Sequence, residues 1–316
     1  MNPWGGLVID SAGNLYGTTA YGGTGGCILL GILYGCGTVY EVSPPQQKGG
    51  QWTEAILYSF QSGNDGYFPW GNLTLDKSGN LYGATQFGGG KGTQCNPYYQ
   101  YCGTVFKMSP PKQKGGVWTE QVLHSFAGGT DGANPNGGLV LDSKGIIYGT
   151  TYSGGNSGCK QDGSLGCGTA FELRPPTTKG GTWGEKGLHR FDRTNSDGGN
   201  PMAGLTFGAD RKLYGTTIDG GPGSYGTVFC LSKKVNSWAE TVLYGFDDGA
   251  DGAGPEAGLT FDSHGNVYGT TSIATNRSSQ GNVFMMPPPP GTVKPGLLAW
   301  STPLRGRRTA PTRRPV

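Results

Sequence analysis

Leu15-Tyr16-Gly17-Thr18-Thr19 returns four times along the chain, as Leu81-Tyr82-Gly83-Ala84-Thr85, Ile147-Tyr148-Gly149-Thr150-Thr151, Leu213-Tyr214-Gly215-Thr216-Thr217 and Val267-Tyr268-Gly269-Thr270-Thr271. The tyrosines at 16, 82, 148 and 214 are spaced by 66 residues, and the last interval, to Tyr268, is 54. A fixed period of this size marks a repeat architecture, whose units bury a core only by stacking on one another.

Working outward from Leu81 gives the unit. Gly71-Asn72-Leu73-Thr74-Leu75-Asp76 reads as a short strand and Lys77-Ser78-Gly79-Asn80 as a tight turn into Leu81–Thr85. A Gly-rich loop, 88–102, leads to a third strand, 103–108, stopped by Pro110-Pro111. A fourth strand runs from Trp118 to Phe126, and Asp131-Gly132-Ala133-Asn134-Pro135 turns into the next unit. Fourth strands open at Trp52, Trp183 and Trp238 elsewhere, and linking turns recur at Asp65, Asp197 and Asp251. Four short strands per repeat predict an all-β, β-propeller-like fold of four-stranded blades, first strand innermost and Trp-bearing strand outermost. An open β-solenoid is the alternative.

The repeats fall at about 1–66, 67–132, 133–198 and 199–252, with a partial fifth at 253–290 that is expected to hold three strands. Residues 291–316 read as a disordered, basic Pro/Arg-rich tail. The tail and the abrupt first strand at Leu7 suggest a fragment, or a mis-started or frame-shifted reading, of a longer propeller.

Composition agrees with strands and turns. Gly is 62 of 316 residues, with no Gly-X-Y period, and charged residues are only 14%. The net charge of +3 comes from the tail: it holds Lys294 and five arginines but no acid, which leaves the repeat body with 18 basic and 21 acidic side chains. The body therefore has no electrostatic footprint for nucleic acid. Its longest apolar run, Cys27 to Leu33, is far short of the ~20 residues a spanning helix needs. The first residues do not form a signal peptide.

The motif Asp-x-x-Gly-Asn-Leu-Tyr-Gly-Thr-Thr, followed by Gly-Thr-Val-Phe and a Tyr/His-Ser-Phe strand, resembles the GloVer tandem-repeat family (choice-of-anchor tandem repeat GloVer-containing) of bacterial secreted propeller-like proteins. The resemblance covers roughly residues 3–290. It implies an exported repeat protein, with no activity and no catalytic residues to carry over. Signal peptide and recognisable anchor, features of the family, are not found in this sequence.

Cys27/Cys36, Cys95/Cys102 and Cys159/Cys167 each occupy the loop between second and third strands. Pairs that recur while their spacing varies suit disulfides in an oxidising compartment; a metal site would need four clustered ligands, and no His accompanies any pair. Cys230 is left over, as a buried free thiol. Extracellular or cell-surface location is expected from the three pairs.

Asp10, Asp76, Asp142 and Asp262 precede tight turns, where a carboxylate bonding the turn backbone explains them; calcium is the alternative, both there and at Asp65, Asp131, Asp197 and Asp251. His124 and His189 hold the place of Tyr58 and Tyr244, which argues for a structural position rather than a catalytic base. Glu54, Glu120, Glu185 and Glu240 form a ring on the outer strands that is expected to be solvated. No catalytic residue and no cofactor are assigned.

The first strands carry no His, Asp or Glu ahead of their closing turn, unlike a channel built for catalysis. The expected function is a monomeric, non-enzymatic extracellular module that binds a glycan or a cell-surface protein or serves surface structure. A propeller enzyme such as a lyase, lactonase or glycosidase is the alternative. Copies differ most at Trp4, Trp70, Asn136, Met202 and Glu256, just after each turn proline, and in the unmatched loop 96–101. Divergent positions on one face are where function can be grafted, so Trp70, Tyr98, Tyr99 and Tyr101 are the candidate ligand anchors. The competing expectation packs Trp4 and Trp70 between blades.

Overall fold

The computed structural model describes residues 2–29, 32–90, 95, 102–113, 115–155, 159, 166–247, 249, 251–273, 281–288 and 300–303. Five antiparallel sheets follow one another, each ordered first to fourth strand outward. They are Val8–Ile9, Leu15–Thr19, Thr38–Ser43 and Thr53–Ser59 in blade one; Thr74–Leu75, Leu81–Phe87, Thr104–Ser109 and Thr119–Ser125 in blade two; Val140–Leu141, Ile147–Thr151, Thr169–Arg174 and Gly184–Arg190 in blade three. Thr206–Phe207, Leu213–Thr217, Thr227–Lys233 and Trp238–Gly245 form blade four, and Thr260–Phe261, Val267–Thr270, Asn282–Met286 and Trp300–Pro303 form blade five. Tyr67–Pro69 adds a fifth strand to blade two, against the far end of its second strand. First strands surround a common channel. This is a five-bladed β-propeller arrangement.

Blade five corrects the expectation of three strands. Trp300–Pro303, from the stretch assigned to the tail, pairs with Asn282–Met286 in the outermost position. The third strand of a blade offers an unpaired edge, and an extended segment satisfies its backbone groups.

Each residue of the recurring motif has a separate physical task. Asp76 Oδ1 accepts from the amides of Ser78 (2.8 Å) and Asn80 (2.9 Å), and Oδ2 from Asn80 Nδ2 (2.7 Å) and the Tyr82 hydroxyl (3.1 Å). Blades one and five repeat this set around Asp10 and Asp262. In blade four Gly208 stands at that position, and Asp210 takes over the Tyr214 hydroxyl. The glycine after each tyrosine is required by close approach: a Cβ at Gly83 would lie 2.5 Å from the Phe106 ring. The last threonine pairs its hydroxyl with that of the third strand, as in Thr85 with Thr104 at 2.8 Å. The threonine before it reaches the next blade, as when Thr150 Oγ1 donates to the Ala203 carbonyl at 2.8 Å.

Blades bury their faces against each other. The Phe that follows each fourth strand meets the third-strand Phe of the next blade edge-on: Phe60 on Phe106, Phe126 on Phe171, Phe191 on Phe229 and Phe246 on Phe284, with centroids 5.1–5.3 Å apart. All eight rings are essentially inaccessible to solvent. The tyrosine of one blade also packs on the outer Trp of the next, as in Tyr16 with Trp118 and Tyr148 with Trp238.

Candidate functional site

The linking turns place one side chain per blade at the channel mouth. Gly103, which opens the third strand, has φ +92°, and a Cβ there would meet Pro135 at 2.7 Å. The glycine thus seats the turn proline, and the next residue faces inward. Trp4, Trp70, Asn136, Met202 and Glu256, the positions at which the copies differ most, line one cavity of about 670 Å³. First-strand Leu, Val and Thr residues form its wall.

Trp4 and Trp70 stack on one another, with centroids 4.5 Å apart and planes 24° from parallel. Trp4 is 56% exposed, so its other face is open. The expectation that these rings are buried between blades is therefore half right: they bridge blades one and two, but on the channel rim. Asn136 is 95% buried, and its Oδ1 has no hydrogen-bond partner. A buried acceptor without a donor is costly. Glu256 is exposed and, among the described residues, is the one carboxylate on this cavity's lining.

Three disulfide cysteines adjoin the linking turns. Cys27–Cys36, Cys95–Cys102 and Cys159–Cys167 are bonded, and Cys230 is a buried free thiol whose pKa burial raises. The carbonyls of Cys36, Cys102 and Cys167 accept from the linking-turn amides of Phe68, Asn134 and Asn200 (2.9, 2.7 and 2.6 Å). Each disulfide thereby steadies the turn that presents a rim residue. Tyr98, Tyr99 and Tyr101 lie outside the described residues.

A second recurring cluster lies under the linking turns, on the blade interfaces. Tyr58 and Tyr244 donate to Asp65 (3.1 Å) and Asp251 (2.7 Å), and His124 and His189 bond Asp131 and Asp197 in the same way (3.0 and 3.1 Å). Both histidines also pack edge-on against Phe126 and Phe191. The expectation of a solvated glutamate ring holds only for Glu54, which is exposed. Glu120, Glu185 and Glu240 are partly buried beneath the preceding blade. Burial, and then the charge of Asp65, Asp131 or Asp197, pushes each carboxyl up to about 7. His189, Asp197 and Glu240 bring one ligand-type atom each within 4.8 Å of one another. Burial favours a neutral His189, but the hydrogen bond and charge of Asp197 outweigh it and hold its pKa above the usual value. The sequence missed this cluster because its members come from two repeats.

The profile of the Gloeobacter/Verrucomicrobia repeat matches residues 1–159 and 98–307, together nearly the whole chain. The chain belongs to that family. No curated protein sequence matches this GloVer protein. Among solved structures, a PL25 ulvan lyase bound to -[GlcA(1-4)Rha3S]- superposes at a TM-score of 0.50 with 11% identity, over 90% of the GloVer chain and 70% of the lyase. A glucose dehydrogenase gives 0.49 with 16% identity over 89% and 82% of the two chains. A protein assigned as a 6-phosphogluconolactonase from Bacteroides uniformis ATCC 8492 gives 0.44 with 16% identity, over 84% of the GloVer chain. The GloVer chain spans 62% of that protein's length. At these identities the likeness concerns the fold alone.

Proposed function

We propose that this GloVer chain is an extracellular, non-enzymatic binding module that holds a glycan at the mouth of its channel. The observation that carries this reading is the stacked Trp4–Trp70 pair on the rim of the channel cavity. The open face of Trp4 offers a flat apolar surface suited to the C–H face of a sugar ring. Glu256 supplies a hydrogen-bond acceptor on the same lining. Hydrolysis of a glycosidic bond ordinarily uses two carboxyl groups flanking it, and among the described residues this lining carries one. Three disulfides in short surface loops fit an oxidising compartment and so favour export.

A glycan array followed by calorimetry on the selected sugar tests the reading. Binding by the wild type should weaken by about tenfold or more in Trp4→Ala, as expected for loss of an aromatic anchor. The triple variant Tyr98→Ala/Tyr99→Ala/Tyr101→Ala asks whether the neighbouring loop joins the site. A wild type that binds no glycan, or Trp4→Ala binding as wild type does, would sink the proposal.

A further inference from the structure

Consecutive blades share four packed cores, and each core shows what a blade face requires. Two faces lack this cover. On blade one, the face that would meet a preceding blade leaves Leu7 52%, Ile9 63%, Trp52 52% and Ile56 51% exposed. The residues at the position of Leu7 elsewhere, Leu73, Leu139, Leu205 and Leu259, are 2–5% exposed. Tyr40 and Val42 are only half-buried, where their counterparts Phe106 and Met108 are fully buried. Among the described residues, Trp52 has no tyrosine against it of the kind that Tyr16 provides for Trp118.

Blade five shows the complementary pattern. Val267, Gly269, Phe284 and Met286, which face blade four, are buried, while the alternating Tyr268, Thr270, Val283 and Met285 are half-exposed. Their counterparts Tyr214, Thr216 and Val228 are 0–2% exposed. Thr260 is exposed, whereas its counterpart Thr206 donates to the Leu259 carbonyl of the next blade at 2.9 Å.

We propose that a further blade of this same repeat docks between blade five and blade one. Its back face would carry the Tyr and terminal Phe that blade one lacks, and its front face the Leu, Phe and Trp that blade five lacks. Blades one and five both line the channel cavity through Trp4 and Glu256, so the two bare faces border one slot around one axis. A single blade covers both faces at once. A second copy of the chain curves around its own axis and would offer only one of its own end faces to each. Apolar surface of this extent left in water is unfavourable, and the four internal interfaces demonstrate the complementary shape.

The test extends the chain by a copy of residues 67–132 joined ahead of Met1, which continues the 66-residue register through the linking turn. Hydroxyl-radical footprinting reads Tyr40, Trp52, Tyr268 and Met285, with a scrambled extension of equal composition as control. The intact extension should lower modification of all four several-fold and raise the midpoint of thermal unfolding; the scrambled one should do neither. Tyr40→Asp in the extended chain should restore modification at Met285, because one blade spans both faces. Unchanged footprints with the intact extension overturn the proposal. So does protection of Trp52 and Tyr40 in the unextended chain together with a dimeric mass, which would assign the faces to a second copy.

Discussion

Tyr82 illustrates how much one side chain of the motif controls. Its hydroxyl closes the Asp76 turn, and its ring belongs to the core shared by blades two and three. Tyr82→Phe keeps the ring and removes the hydroxyl, which should cost about 1–2 kcal/mol in denaturant unfolding, toward the low end for a hydrogen bond to a charged acceptor because the pair is only partly buried. Gly83→Ala should cost more, about 2–3 kcal/mol, because the added methyl meets the Phe106 ring inside a packed core. The carboxyls predict a pH dependence. Glu120, Glu185 and Glu240 hold a proton up to about pH 7 in the folded chain, against a reference value of 4.5. The folded state binds more protons across that window, so stability falls as pH rises through it. His189, with its raised pKa, acts in the same direction. Asp10 and Asp76 oppose this only in acid: burial disfavours their charge, but their turn hydrogen bonds overcome it and hold them below 3.8. Melting should therefore be higher at pH 5 than at pH 8, and Glu120→Gln/Glu185→Gln/Glu240→Gln should flatten the difference. A melting temperature independent of pH would refute this account.

Blades were legible in the sequence because every strand and turn recurs at a fixed offset. Glycine, proline and Asp-x-x-Gly-Asn punctuate the chain so regularly that, of the four strands expected per blade, the sequence missed only the fifth outer one, Trp300–Pro303. A proline run and an unrelated composition separate it from the strand it pairs with, and edge pairing needs little sequence beyond an extended backbone. The cysteine pairs were legible for the same reason as the turns, since they recur in one loop. Oxidised, unfolded protein should titrate with one free thiol, Cys230; seven would contradict the disulfides. Replacing Cys27 and Cys36 by serine should lower stability by about 2–3 kcal/mol, the loop-closure contribution of a short ring. The same change should loosen the Phe68 turn and be seen as faster amide exchange there.

Across the whole molecule, contacts run between neighbouring blades, as in other repeat arrays, and stability should be graded accordingly. Hydrogen exchange should be slowest in Ile147–Thr151 of blade three and fastest at Val8–Ile9 and Trp300–Pro303, which border the bare faces. Uniform protection across all five blades would show a closed cooperative ring instead. The glutamates show where sequence reading reached its limit. An outer strand looks solvated when read alone, and only the stacking of one repeat on the next brings Glu120 beneath Asp65. The rim positions were legible by the opposite route, as the places where copies disagree, though nothing in the sequence showed that they face one cavity. Their placement separates two inheritances. The strand and turn residues are answerable to neighbouring blades, while Trp70, Met202 and Glu256 project from a turn already fixed by its proline and glycine. Duplicated units can therefore drift at the rim, one position per blade, and acquire new ligand preferences without being selected against for misfolding.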